Sequence, residues 1–488
     1  MSEKEVAYSI NLLLRQVGKD TLWYLPARVV PALAGLLAAG IYTRLFSLKD
    51  YGIYTLLGSL VGFANELCIT WISNAGLRFY DEYERRRKSI EFFSTLVVTW
   101  KGIGLVAGLA SYVFVFYYWP GWMKVWLLTY GAFLATSGSA IVFNLLRAQR
   151  KAAVYCLLQV IGSIIKIVLV VLLNAVTGLG AMTILLATAL VNFVYVTVGF
   201  WVARVIPQVQ LRSYSWQSTR RFWNYGGPLI GVGLSLWVLS LSDRYFIGLF
   251  RSPAEVGLYS IGYNLSSGMM QMVIWVQMLA AYPVIITTWN SLGQEAAEKF
   301  LARLVRYYWA LTLPCAVLLA CLARPVLAFL VSPSYLEGYR VFPWISAAMF
   351  FNGLALYANK VWELKRRTGV MLRAIVLAAL INGLLNFILV PAYGYIAAAV
   401  TTTISYALYF VISFSLSRRV FCWRLEFLSL LYISLAAVVM AGIIIYFNQT
   451  VSAGIGAVLL IAGAGIAGYL TALYILEKLH RWLRKRIT

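Results

Sequence analysis

Seven basic side chains lie inside long apolar runs of this chain: Arg28, Lys101, Lys166, Arg244, Arg324, Lys360 and Arg373. Only Glu66 and Asp243 oppose them there. A charge at the centre of a bilayer costs roughly 2.5–3.5 kcal/mol on insertion scales, so each such residue needs a reason to be there. A surplus of positive charge at that depth is poorly explained by internal pairing and suits a water-filled cavity that receives an anion. At about 1.5 Å of rise per residue, Lys101, Lys166 and Glu66 lie too deep to snorkel to the surface. Arg28 sits between Pro26 and Pro31, which can bend its helix and free carbonyls beside a cavity. Arg28, Lys101 and Lys166 are therefore read as cavity-lining, with structural pairing as the alternative. Glu66 can accept a coupling proton or sodium ion, or neutralise a neighbouring lysine. Asp243 and Arg244 are adjacent near a span end, as an interfacial ion pair or an outer gate contact. Arg324, Lys360 and Arg373 lie close to headgroup depth, so each is read first as snorkelling, with a cavity role as the alternative.

Other motifs carry less. Gly463-Ala464-Gly465-Ile466-Ala467-Gly468 satisfies the dinucleotide-binding spacing, but it lies inside an apolar run with no preceding strand, so helix packing accounts for it. Gly18-Lys19-Asp20 lacks the first glycine and the Ser/Thr of a phosphate-binding loop, which excludes ATP as the energy source. The single histidine, His480, sits in the basic segment Lys478–Arg486, suited to anionic headgroups. One histidine leaves no material for a metal site or a histidine-based triad. Cys68, Cys156, Cys315, Cys321 and Cys422 form no CxxC and read as buried, inert thiols. Asn65, Asn264, Asn352 and Asn382 read first as hydrogen-bonding links between helices.

The elements that must position these groups follow from the composition. The chain is 62% hydrophobic and 12% charged, and a soluble domain carries roughly 25% charged residues. The apolar residues come in span-length runs: 22–46, 52–77, 92–118, 122–146, 153–174, 179–203, 222–249, 256–288, 304–331, 341–363, 368–390, 394–417, 427–447 and 453–476. The net charge of +24 is spread over short connections instead of one face, which argues against nucleic-acid binding. Every second connection is basic: Lys4, Arg15 and Lys19; Arg78 and Arg85–Lys88; Arg147, Arg150 and Lys151; Arg204, Arg212, Arg220 and Arg221. The series continues with Lys299, Arg303 and Arg306; Lys365–Arg367; Arg418, Arg419 and Arg424; and the tail from Lys478. The intervening connections hold only Arg44, Lys49, Lys124, Arg251 and Arg340. The positive-inside rule then predicts an even number of spans with both termini cytoplasmic. Met1–Gly18 is amphipathic and mildly basic, and does not read as a removable signal peptide. Trp119, Trp122, Trp126, Tyr307, Tyr308 and Trp309 mark interfacial belts. The short connections leave no room for an extramembrane catalytic domain.

An internal duplication accompanies the spans. Ser47-Leu48-Lys49-Asp50-Tyr51-Gly52-Ile53-Tyr54 parallels Ser252-Pro253-Ala254-Glu255-Val256-Gly257-Leu258-Tyr259. Farther on, Arg150-Lys151, Gly178 and Ala181 parallel Arg366-Arg367, Gly394 and Ala397. A duplicated six-helix unit is the expectation, both copies entering the membrane from the same side, with the last two spans outside the repeat.

The first hairpin, Thr43-Arg44-Leu45-Phe46-Ser47-Leu48-Lys49-Asp50-Tyr51-Gly52-Ile53-Tyr54, together with Leu146-Arg147-Ala148-Gln149-Arg150-Lys151, resembles the oligosaccharide flippase (Wzx-like polysaccharide transporter) branch of the multidrug/oligosaccharidyl-lipid/polysaccharide exporter superfamily. The resemblance implies an all-α polytopic membrane protein of about fourteen helices. Two pseudo-symmetric, MATE-like six-helix lobes (1–212 and 213–420) would surround a central cavity, followed by a C-terminal helix pair with a basic tail (421–488). It implies a transporter, not an enzyme, resident in the cell inner membrane. Its cargo would be a polyprenyl-pyrophosphate-linked oligosaccharide for surface polysaccharide such as O-antigen, moved from the cytoplasmic to the outer leaflet by alternating access. The pyrophosphate would meet Arg28, Lys101, Lys166, Arg244, Lys360 and Arg373. Glu66 or Asp243 would carry a coupling H+ or Na+, and no other cofactor is expected. Partners would be the lipid-linked glycan, membrane lipids and polysaccharide-assembly proteins. A drug/cation antiporter of the same superfamily and a membrane-embedded glycan polymerase or glycosyltransferase are the alternatives. The basic surplus disfavours the first and the lack of a large outer loop the second. The signature of the peptidoglycan-precursor branch is not matched.

Overall fold

The computed structural model describes residues 26–423, 425–450 and 454–487. The N-terminal basic residues Lys4, Arg15 and Lys19, the Met1–Gly18 and Gly18–Asp20 stretches, and Arg424 lie outside the described residues, as do the side chains of His480, Arg481, Arg484, Lys485 and Arg486. All regular structure among the described residues is helical. The order is α1 (Pro26–Leu45), α2 (Leu48–Cys68), α3 (Thr70–Arg85), α4 (Ser89–Tyr118), α5 (Met123–Ala148), α6 (Ala152–Thr177), α7 (Met182–Val202), α8 (Trp216–Leu241) and α9 (Asp243–Phe250). There follow α10 (Pro253–Cys321), α11 (Ala323–Leu330), α12 (Phe342–Leu364), α13 (Thr368–Ser417), α14 (Phe427–Thr450) and α15 (Ile455–Ile487).

Ten of these helical segments are long and apolar enough to cross a membrane. The bent pairs α2–α3 (51°) and α8–α9 (48°) bring the number to twelve. Helix α10 runs for 69 residues, which as a straight rod would reach about 100 Å across a hydrocarbon layer of about 30 Å. It does not run straight: Gly293 (φ 79°, ψ −174°) interrupts it. Gly394 (φ 63°, ψ −150°) interrupts the 50-residue α13 in the same way. Both backbone states lie where an L side chain is strained, so glycine is required at each turn. Dividing these two segments yields fourteen spans. The expected connection between 288 and 304 is thus a single turn at Gly293 with helix on either side, where the apolar pattern suggested a longer loop. Pro26 opens α1, and the helix continues through Pro31.

By packing, the chain divides into two compact units, Met1–Ala38 with Ile53–Trp237 and Ala39–Gly52 with Val238–Thr488. The first is centred on Phe92, Phe93, Leu96, Ile141, Leu145, Leu146 and Phe222. Lipid is as apolar as these side chains, so close packing and polar links must hold its helices together. The indole of Trp100 donates to Ser137 Oγ at 2.8 Å, and Asn144 Nδ2 donates to Ser73 Oγ at 2.8 Å. Its α6 exposes Ile164, Ile165, Val168, Leu172 and Val176, a surface that hydrocarbon solvates and water would not. In the second unit, α14 and α15 pack through Met440, Ile444 and Tyr469. A Cβ at Gly465 or Gly468 would strike Ile444 or Ile443, so this glycine run is a packing surface. Trp309 and Tyr469 tie the pair to α10, through Ser434 Oγ and the Ala310 carbonyl. Tyr308 is fully buried, its hydroxyl donating to the Phe350 carbonyl at 2.8 Å; it is a core residue, not an interfacial one. The five cysteines are free. Cys156 is buried and Cys422 is exposed, the latter because it falls in the connection before α14.

The duplicated junctions share physical devices. Ser47 Oγ accepts the Asp50 N–H and Ser252 Oγ accepts the Glu255 N–H, both at 3.2 Å. Each starts a helix in the Ser-x-x-acid pattern that satisfies orphan N–H groups. A Cβ at Gly52 would overlap the Pro253 carbonyl, and one at Gly257 would overlap the Leu48 carbonyl. The two copies of the motif therefore touch reciprocally. Gly178 and Gly394 share positive φ (60° and 63°), and Arg150 and Arg366 share φ 55°.

Those two arginines belong to a set of four. Arg87, Arg150, Arg204 and Arg366 have φ between 53° and 56°, each just past a helix C-terminus. In each, the arginine N–H and the next N–H return to the last turn, as in Lys88 N to Tyr83 O (2.9 Å) and Lys151 N to Leu146 O (2.8 Å). Glycine is usual at this position. Arginine there carries left-handed strain while placing a cation beside the negative helix end.

Candidate functional site

The most developed polar site lies in the second unit, where α8 gives way to α9. Ser242 Oγ bonds back to the Val238 carbonyl at 2.6 Å, and the chain bends there by 48°. Asp243 is thereby placed in the first turn of α9 and is wholly buried. Its carboxylate accepts from Asn386 Nδ2 at 2.6 Å, from Thr402 Oγ1 at 2.6 Å and from the Tyr259 hydroxyl. Thr401 Oγ1 donates to Asn386 Oδ1 at 2.5 Å, and Asn386 Nδ2 also reaches Asn382 Oδ1 at 3.2 Å. Asn382 Nδ2 is buried without a partner. In an unbroken helix, residues 386 and 402 would stand about 24 Å apart. The break at Gly394 folds α13 back so that both reach one carboxylate.

Arg244 turns away from Asp243. It is 2% exposed and donates to the Ser240 carbonyl (3.0 Å), Asn264 Oδ1 (2.9 Å) and Ser260 Oγ (3.2 Å). Its guanidinium also lies 5.0 Å from the centre of the Tyr263 ring. The expected snorkelling ion pair is therefore not formed: both side chains are buried, each satisfied by neutral groups. Asp243, with the oxygens that Asn382, Asn386, Thr401 and Thr402 can present, is a hard donor set of one negative charge. That composition fits a proton or a monovalent cation; a divalent ion favours more carboxylates. No group of three or more His, Cys, Asp or Glu side chains able to hold a metal occurs among the described residues.

In the first unit Glu66 stands just before the bend between α2 and α3. Its Oε2 is buried without a hydrogen-bond partner, as is Asn65 Oδ1. The carboxylate lies against Gly233 of α8, where a Cβ would come within 2.1 Å of Oε2. No ion pair to Glu66 occurs among the described residues, so the neutralised-lysine reading finds no lysine. Glu66 Oε2 is thus a buried acceptor that can take a proton or a cation.

A family model described as polysaccharide biosynthesis protein matches residues 41–340, well over half of the chain. The chain belongs to that family. It is 19% identical over 259 residues to the probable low-salt glycan biosynthesis flippase Agl15 of Haloferax volcanii, covering 52% of this chain and 54% of that protein. The family member thus spans about half the length of the curated relative it matches. Its fold is similar to that of the lipid II flippase MurJ in an inward closed conformation, with a TM-score of 0.74 and 16% identity over 96% of this chain and 99% of that one. It is also similar to an inward-facing MATE multidrug transporter of the MOP superfamily, with a TM-score of 0.64 and 14% identity over 80% and 94% of the two chains. At these identities the likeness establishes the fold: the MATE-like one that the first hairpin implied, shared with MurJ.

The remaining site residues of this family member separate by partner. Lys101, midway along α4, is exposed, and Lys166, midway along α6, is half-buried. Neither has an acidic or hydrogen-bonding partner among the described residues. Arg28 is exposed in the first turn of α1, and Arg373 and Arg324 are exposed near the starts of α13 and α11. Lys360 differs. Its ammonium meets both Glu363 oxygens, at 2.7 and 2.8 Å, and lies 4.6 Å from the Tyr282 ring centre. The count of opposing acids missed Glu363 because it closes the span three residues away. Asn386, Thr401 and Thr402 were also missed: each is unremarkable alone, and the break at Gly394 that gathers them shows in the sequence only as the glycine matching Gly178.

Proposed function

We propose that the chain is a flippase for an anionic polyprenyl-pyrophosphate-linked oligosaccharide. It would carry the cargo from the cytoplasmic to the outer leaflet by alternating access, from the cell inner membrane, with both termini cytoplasmic. Membership of a polysaccharide biosynthesis family, and a curated relative named as a glycan biosynthesis flippase, support the cargo class. The observation that carries the reading is the contrast among the cations within the spans. Arg244 and Lys360 are fully engaged by protein groups, whereas Lys101 and Lys166 stand at mid-span without protein partners. Two unmatched ammonium groups cost roughly 5–7 kcal/mol at that depth, and a pyrophosphate that meets them offsets the cost. Lys101, Lys166 and Arg28 attract and orient the diphosphate. Asp243 and Glu66 are the groups that take up the coupling proton or sodium ion. At Asp243, rotation of the Asn386 amide and the Thr402 hydroxyl turns two donors into two oxygen ligands, and the same groups link α9 to both halves of α13. Residues 1–212 and 213–420 form the two lobes of this reading, and polysaccharide-assembly proteins are its expected partners.

Export of surface glycan in cells carrying Lys101→Ala or Lys166→Ala tests it. Both variants should reach the membrane folded and lose export, and the corresponding arginine variants should retain it. Wild-type export in both alanine variants would reject the cation-lined path.

A further inference from the structure

A second basic site lies apart from these spans. Where α3 turns into α4, the chain and the start of α8 enclose a cavity of about 490 Å³, lined by Arg86, Lys88, Glu91, Ser218, Arg220 and Arg221 among others. This is within the usual size for a small-ligand site. Its floor is built. The Tyr83 hydroxyl and Ser218 Oγ are 2.7 Å apart, and Ser218 donates to Glu91 Oε1 at 2.7 Å. Tyr83 and Ser218 are both buried.

The charges do not balance. Glu82 serves two guanidinium groups at once, Arg221 at 2.7 Å and Arg86 at 2.9 Å. Glu91 meets Lys88 at 3.4 Å. Arg220 has no acidic partner among the described residues. Four cations thus face two carboxylates. Arg221 is held in place by its stack on Phe79, 4.6 Å from the ring centre, so one donor fork is already oriented. Helix α8 also has no acidic residue in its first turn, where the helix dipole would favour one.

A cavity in the second unit supplies the contrast. It is about 260 Å³ and lined by Lys299, Arg303, Arg306 and Glu426 among others. There Arg306 lies between Glu426 (2.9 Å) and Glu477 (2.8 Å), and Lys299 meets Glu295 at 2.9 Å. Three cations are thus matched in number by three carboxylates, with Arg303 the one that has no acidic partner among the described residues.

The geometry points to the first cavity as a binding site for the phosphate of a lipid headgroup, on the side of the membrane where the basic connections gather. Planar guanidinium groups and an ammonium around a polar floor match a phosphodiester or diphosphate, and the position at the span ends is headgroup depth. The site stands whether or not the chain carries a glycan.

Native mass spectrometry of the full chain released from phosphatidylcholine nanodiscs tests this, with phosphatidylglycerol or a polyprenyl pyrophosphate added as the probe. Wild type should retain one anionic lipid at least tenfold more tightly than Lys88→Gln/Arg220→Gln, and Lys88→Arg/Arg220→Lys should restore retention. Preference for the polyprenyl pyrophosphate would identify the headgroup as that of a cargo lipid; equal retention of both lipids, that of the surrounding leaflet. Lys299→Gln/Arg303→Gln removes the same charge elsewhere and should leave retention unchanged. Equal retention by wild type and the Lys88/Arg220 glutamine variant, or an equal loss in the second-unit control, would overturn the site.

Discussion

At the scale of single residues, charges in this protein divide into those the fold satisfies and those it leaves open. Asp243 belongs to the first group, with three donors closing on one buried carboxylate. Asn386→Ala removes one donor to the buried carboxylate, while Thr401 keeps the Ala398 carbonyl as its acceptor, so it should destabilise the fold by about 1–3 kcal/mol. Asp243→Asn should abolish transport and any sodium- or pH-induced rise in thermal stability. An undiminished ion response in that variant would move the coupling role to Glu66. Outside the spans, Ser218 and then Lys88 hold the Glu91 carboxyl below its ordinary range. A depressed carboxylate contributes stability that is present above its unfolded pKa of about 4.3 and lost as pH falls through its folded value. Ser218→Ala should therefore shift acid unfolding of the purified protein to higher pH, and Glu91→Gln should remove that part of the pH dependence.

At the scale of elements, helix ends set the architecture. Gly394 turns α13 back on itself and brings Asn386 and Thr402 to Asp243. Gly394→Ala would meet left-handed strain, and its Cβ would lie 2.6 Å from Glu255 Oε2. A loss of about 2–3 kcal/mol with impaired transport is expected in denaturation and export assays. The four arginine caps predict the opposite sign. Arg204→Gly relieves left-handed strain and should raise stability by up to about 1 kcal/mol, whereas Arg204→Lys should not. Most of the helices were legible because an apolar run of span length admits little else. The turn at Gly293 was not, since polar helix and polar loop have the same hydropathy and only the glycine's backbone separates them. The carboxylate shell at Asp243 was half legible. Asp243 stood out as an acid in an apolar run, but its neutral partners carry no such mark, and neither did Glu363 beside Lys360.

For the whole molecule, the alternation of basic and non-basic connections makes a prediction about sidedness. In a cysteine-free background, Gln217→Cys should react with an impermeant maleimide only after the inner face is opened, and Trp122→Cys should react in intact cells. The reverse pattern would invert the proposed direction of transport. The repeated sequence has a consequence of its own at Gly52 and Gly257. Each glycine abuts a carbonyl of the other's helix start, so a methyl group at either position wedges apart the same pair of backbones. Gly52→Ala and Gly257→Ala should each be harmful, yet together cost less than their sum, because one separation relieves both collisions. A thermodynamic cycle over the two sites should return a coupling of about 0.5–3 kcal/mol, so that neither position is free to change without regard to the other.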